Sequence, residues 1–175
     1  MIHVVMDSST LRDVVEESRT ERFEQKAHPK LVQAIKSADR VKIIAVREEV
    51  GEIMLAALAE RLSERYRGVL ERFAVDVEGV KYDKIRSKVS RVYGKPVLAT
   101  VRRFFGLEPE DLEDSRGELD SDAFLLVTAL YCASSCGRAL VLTSDERARN
   151  LLNSALDRLR EHPSLGSVFE KVSEP

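Results

Sequence analysis

A chain of 175 residues holds one globular domain with room for a sizeable insertion, and is too short for two full-sized domains. With 43% hydrophobic and 33% charged residues against 8 Gly and 5 Pro, it can bury a core beneath an ionic surface, which excludes collagen-like, low-complexity and wholly disordered chains. The 28 basic and 30 acidic side chains leave a formal charge of −2, so no global positive field draws in nucleic acid or an anionic membrane, and any polyanion site has to be a local patch.

The first element in the chain is a β-branched apolar run at residues 2–6, read as a buried strand. It stops at Asp7-Ser8-Ser9-Thr10, a cluster suited to a turn and to capping a following helix. Residues 11–38 have helical character, broken near His28-Pro29 because the residue before proline is pushed out of the helical region. A second buried strand is expected at 41–46 (VKIIAV). It is followed by Arg47-Glu48-Glu49-Val50-Gly51-Glu52 and a long helix from residue 53 through 71. Residues 73–80 alternate like a short strand, read as an edge element or a bend within an insertion.

Charge then segregates along the chain. Lys81, Lys84, Arg86, Lys88, Arg91, Lys95, Arg102 and Arg103 face one acid, Asp83, and the next stretch, 108–122, carries eight acids against Arg116. The basic stretch is interleaved with Tyr82 and Tyr93 and followed by Phe104 and Phe105. Lysine and arginine neutralise phosphates and aromatic rings stack on unpaired bases, so this is the RNA-contact candidate. The bland alternative is a solvated helix face with its aromatics buried. Asp122 opens a helix apolar on every face, as for an interior helix, ended by Gly137. A third central strand is expected at 139–143 (ALVLT), ending in Thr143-Ser144-Asp145, then an amphipathic helix at 146–160 and a tail whose Val168-Phe169 pair suits an edge strand.

Apolar strands bounded by helices imply an α/β fold, a three-layer α/β/α sandwich around a mostly parallel sheet, with a helical, charged insertion at about 55–119. In such sheets ligands bind beyond the carboxyl ends of the strands. Asp7 follows the first strand directly and Asp145 follows the third by two residues. Glu49 and Glu52 begin the helix after the second strand, and Asp122, with Asp120 as its rival, begins the helix leading into the third. Carboxylates crowded at one crevice repel unless a cation neutralises them, and the hard ions Mg²⁺ and Mn²⁺ prefer such oxygen ligands. A metal so held activates water and stabilises charge on an attacked phosphate, which suits phosphodiester hydrolysis. The alternative for each acid is helix capping alone.

The segments MDSS at 6–9, VREEVGEI at 46–53, DAFLLVTAL at 122–130 and LVLTSD at 140–145 resemble, in order and spacing, those of the PIN domain nucleases, over about a third of the chain. The resemblance implies a PIN-like fold and a divalent-metal-dependent ribonuclease in which Asp7, Glu52, Asp122 and Asp145 bind Mg²⁺ or Mn²⁺, with Ser9 and Thr143 as hydroxyl neighbours. Glu49 and Asp120 are the alternatives to Glu52 and Asp122. The substrate implied is single-stranded or structured RNA. A homodimer and an antitoxin or other protein partner are compatible with the family. A catalytically inactive RNA- or protein-binding module is the other reading.

Cys132 and Cys136 share a helix face and read as core thiols. The three histidines, His3, His28 and His162, lack zinc-site spacing, and no Walker or dinucleotide glycine motif is present. Two cysteines, together with an N-terminus lacking the regions of a secretory signal, lead to the expectation of a cytoplasmic protein. The longest apolar stretch, 123–136, falls short of the roughly 20 residues a membrane helix needs, so no membrane partner is expected. Two Asn and two Gln amid abundant charge resemble the composition of thermophile proteins.

Overall fold

The computed structural model describes residues 1–20, 29–37, 40–46, 51–66, 69–75, 80–104, 121–136, 138–161 and 172–174; some side chains within these elements, those of Glu52 and Asp122 included, lie outside the description. Four strands, β1 (Ile2–Met6), β2 (Arg40–Val46), β3 (Val69–Val75) and β4 (Ala139–Leu142), form one sheet in the order β3-β2-β1-β4, with every pairing parallel. The described helices are α1 (Ser8–Ser18), α2 (Pro29–Ser37), α3 (Gly51–Arg65), α4 (Val80–Tyr93), α5 (Lys95–Phe104), α6 (Ser121–Cys136) and α7 (Glu146–Leu159).

Strand residues alternate between two cores because successive side chains leave opposite sides of the pleat. Ile2, Val4, Met6, Val41, Ile43 and Leu142 pack with Leu11, Val14 and Val15 of α1, Leu31, Ala34 and Ile35 of α2, and Leu58 and Leu62 of α3. Val5, Ile44 and Val141 pack on the other face with Ile85 and Val89 of α4, Val97 and Val101 of α5, Leu125–Leu130 side chains of α6, and Leu152, Leu156 and Leu159 of α7. Helices thus cover both sheet faces in an α/β/α layout. Burial of each large aliphatic side chain contributes about 1.5–3 kcal/mol, so the central strands, buried on both faces, anchor the molecule.

Several sequence expectations are met closely. Strands appear at 2–6, 40–46 and 139–142, and Pro29 opens α2, where the missing amide hydrogen costs nothing. Helix α6 is buried along residues 125–130 because it packs on β1 and β4 beneath and on α4, α5 and α7 around it.

One expectation needs correction. The helix read through residue 71 ends at Arg65, and residues 69–75 instead form β3, in register with β2 from Arg40↔Val69 to Val46↔Val75. Charged Glu71 and Arg72 obscure this strand in the sequence, and pairing with β2 overrides their weak local preference. Within the span 55–119, α3 and β3 are therefore part of the sheet framework, and α4 and α5 contribute to one of the two cores. The described end of the tail joins the sheet at Ser173, which donates its N–H to Val141 O (3.0 Å) and accepts from Thr143 N–H (3.1 Å), a parallel bridge on the outer side of β4. Residues 168 and 169 lie outside the described residues.

A helix break joins α4 to α5. Gly94 has φ +89°, the left-handed conformation that lets its N–H reach Ser90 O (2.9 Å) and close α4, and Lys95-Pro96 then starts α5. The turn allows Tyr93, Val97 and Val101 to enter one core together.

Candidate active site at the sheet's carboxyl edge

In the order β3-β2-β1-β4 the connections reverse direction between β1 and β4. Helix α1 leaves β1 toward one core and α7 leaves β4 toward the other, so the chain diverges and opens a crevice at their carboxyl ends. Register places Met6 beside Leu142, which brings Asp7 and Thr143 side by side at the mouth of this crevice.

Asp7 is half-buried and extended (φ −75°, ψ 168°), the N-cap conformation of α1. Its Oδ1 accepts the Thr10 N–H at 2.9 Å and the Ser9 hydroxyl at 3.3 Å, while Oδ2 accepts the hydroxyl of fully buried Thr143 at 2.9 Å. Asp145 caps α7: its Oδ1 accepts the N–H groups of Arg147 (2.9 Å) and Ala148 (3.1 Å), and its own N–H donates to Thr143 Oγ1 (3.2 Å). Thr143 therefore stands between the two acids, hydrogen-bonded to the carboxylate of one and the backbone of the other. No described residue bonds Asp145 Oδ2, and Asp145 is exposed.

A second set of bonds, which sequence reasoning missed, ties α1 to the loop after β4. Thr10 Oγ1 accepts the Ser144 N–H at 2.9 Å and lies 3.3 Å from Ser144 Oγ, and Ser144 Oγ donates to Asp13 Oδ2 at 3.2 Å. The polar run 7–10 signals a cap in the sequence, yet nothing local says that its third hydroxyl crosses to a residue 134 positions away.

Glu52 and Asp122 are each the second residue of a helix, α3 and α6. Helix α3 starts shortly after β2. Helix α6, about 24 Å long at 1.5 Å per residue, returns to the amino end of β4 through two residues, so its first turn lies at the opposite, carboxyl edge. Their backbones thus start from the edge that carries Asp7 and Asp145. Their side chains, and the alternatives Glu49 and Asp120, lie outside the described residues. Among the described residues no three His, Cys, Asp or Glu side chains converge on one point.

The basic segment divides. Lys84, Arg91 and Lys95 are exposed on α4 and α5, whereas Lys88 is half-buried with its Nζ 5.0 Å from the centre of the Tyr131 ring, a cation–π contact. Tyr93 is buried in the core and so is withdrawn from the base-stacking role its position in the sequence suggested. The side chains of Lys81, Tyr82, Arg86, Arg102, Arg103 and Phe104, and residue 105, lie outside the described residues. Cys132 is a buried free thiol in the same core, and the side chain of Cys136 lies outside the description. No helix among the described residues is long and apolar enough to cross a membrane.

Comparison with known proteins yields no match: no family model fits the chain, and no curated protein or solved structure is significantly similar to it.

Proposed function

We propose that the protein is a divalent-metal-dependent ribonuclease of the PIN-like type, cleaving phosphodiester bonds at the crevice between β1 and β4. The observation that supports this reading is the bridge through Thr143, whose hydroxyl joins the Asp7 carboxylate to the backbone N–H of Asp145, 138 positions away in the chain. The donor set suits a hard cation: Asp7 and Asp145 offer carboxylate oxygens, each anchored on one side by a helix N-terminus, so they need little reorganisation to receive an ion. Mg²⁺ or Mn²⁺ would be held by Asp7 and Asp145 with Glu52 and Asp122, or their neighbours Glu49 and Asp120. Such an ion supplies charge neutralisation and water activation when bound.

The chain's own contribution is placement. Thr143 fixes the Asp7 carboxylate through Oδ2 and Ser9 supports Oδ1. The exposed Lys84, Arg91 and Lys95 offer positive charge for an RNA backbone beyond the crevice, and the same role is assigned to Lys81, Arg86, Arg102 and Arg103.

One observation favours a second reading, a non-catalytic RNA- or protein-binding module: both Asp7 and Asp145 already serve as helix caps. Asparagine separates the readings because it caps as well as aspartate but carries no charge. Asp145→Asn is expected to melt within a few degrees of the parent and Asp7→Asn somewhat lower, because its amide nitrogen cannot accept the Thr143 hydroxyl; both should lose the rise in melting temperature caused by Mn²⁺ and the Mn²⁺-dependent cleavage of a single-stranded RNA. A parent protein that neither binds Mn²⁺ nor cleaves RNA would favour the binding module.

A further inference from the structure

The geometry points to Thr10 as a positioning residue that sets the spacing between the Asp7 and Asp145 carboxylates, and to Asp13 as the group that orients it. This inference rests on the metal-site reading above.

The bonds form a closed ring. Asp7 Oδ1 accepts from Thr10 N–H, Thr10 Oγ1 accepts from Ser144 N–H, Ser144 continues covalently into Thr143, and the Thr143 hydroxyl returns to Asp7 Oδ2. Asp145 hangs from the ring through its N–H bond to Thr143 Oγ1. Thr10 is fully buried, so water does not substitute for its hydroxyl. It is the side chain through which the first turn of α1 grips the backbone of the 143–145 loop. Loss of that grip frees α1 and α7, which lie on opposite faces of the sheet, to separate at the crevice.

The direction of the hydroxyl protons follows from chemistry. An ionised Asp13 carboxylate only accepts, so Ser144 Oγ donates to it. With its proton committed there, Ser144 Oγ is the acceptor in its 3.3 Å contact with Thr10, and the Thr10 hydroxyl donates outward while its lone pair receives the Ser144 amide. Asp13, one turn along α1 from Thr10, thereby sets the direction of the Ser144 hydroxyl at the exposed end of the relay. Asp13 thus acts on the site without reaching the crevice acids.

The test compares Mn²⁺ affinity, read by the loss of the free-ion electron paramagnetic resonance signal, in the parent, Thr10→Val, Thr10→Ser, Ser144→Ala and Asp13→Asn, at a temperature well below every melting point. Thr10→Val is expected to weaken Mn²⁺ binding about tenfold, Thr10→Ser to restore it, and Ser144→Ala and Asp13→Asn to weaken it about threefold. A purely structural role would lower the melting temperature of Thr10→Val and leave affinity unchanged, and that result overturns the inference while the metal-site reading stands. If Thr10→Val does not fold, parent-like affinity in both Ser144→Ala and Asp13→Asn overturns it, and weakened affinity in both supports it. Absence of Mn²⁺ binding by the parent defeats the metal-site reading itself.

Discussion

Thr143 donates its hydroxyl to Asp7 Oδ2 across 2.9 Å, joining residues that end adjacent parallel strands and lie 136 positions apart. The bond is short because the β1–β4 register places the two residues level with one another, and it is shielded because Thr143 is fully buried. Thr143 Oγ1 also accepts the Asp145 N–H, so one hydroxyl serves both acids.

Removing that hydroxyl tests its weight. Thr143→Val leaves the Asp145 amide and one Asp7 oxygen without their partner and is expected to lower stability by about 1–3 kcal/mol. Thr143→Ser, which keeps the oxygen, should recover most of it. Urea denaturation of the three proteins measures the difference, and equal midpoints for the parent and Thr143→Val would show that the bridge contributes nothing to folding.

His3 gives the stability a pH dependence. It lies almost fully buried in β1, and burial first, then Lys42, the chain's amino terminus and Lys88, lowers its pKa from 6.5 to about 4. Above pH 6.5 His3 is neutral in both folded and unfolded chains and makes no pH-dependent contribution. Between 6.5 and 4 the unfolded chain binds a proton that the native state refuses, so stability falls as pH is lowered, by on the order of 3 kcal/mol in full. Denaturation of the parent and His3→Phe at pH 7 and pH 4.5 isolates this term. The gap between the two pH values should be smaller in the variant, and an unchanged gap would assign the acid sensitivity to other groups.

At the turn between α4 and α5, Gly94→Ala forces a side chain into a left-handed backbone and is expected to cost about 1–2 kcal/mol. The added Cβ itself meets only Pro96 Cδ at 3.4 Å, an ordinary contact, so the penalty is conformational rather than steric. Calorimetry should register a melting temperature several degrees lower.

The opposite sign is expected in α6. Thr128 is fully buried and its hydroxyl has no hydrogen-bond partner among the described residues, so Thr128→Val, similar in shape, removes an uncompensated polar group and should raise stability by about 1 kcal/mol. A lower melting temperature would mean that the hydroxyl is satisfied in solution.

Legibility in the sequence followed burial. The strands 2–6, 40–46 and 139–142 announce themselves because both faces are covered, which demands continuous apolar runs. β3 carries Glu71 and Arg72 and is paired on one side by β2, so in the sequence its first residues read as the end of a helix and only 73–75 as part of a short strand. The roles of Asp7 and Asp145 as caps were equally readable, since an acid after a strand and before a helix meets free amide groups within three residues. Tyr93 misled for a related reason: aromatic spacing in a basic stretch cannot tell a stacking surface from a core position, and the turn at Gly94 directs this ring inward.

Local chemistry along the chain thus specified the α/β class, the position of the central strands, the helix that runs through the interior, and which acids stand at helix starts. Those features depend on a few neighbouring residues and on apolar periodicity. The parallel order β3-β2-β1-β4, the ring through Thr10, Ser144, Thr143 and Asp7, and the meeting of Asp7 with the Asp145 loop depended on the folded arrangement. Each is a contact between segments far apart in sequence, and such contacts are set by strand register and by the two cores that clamp the sheet.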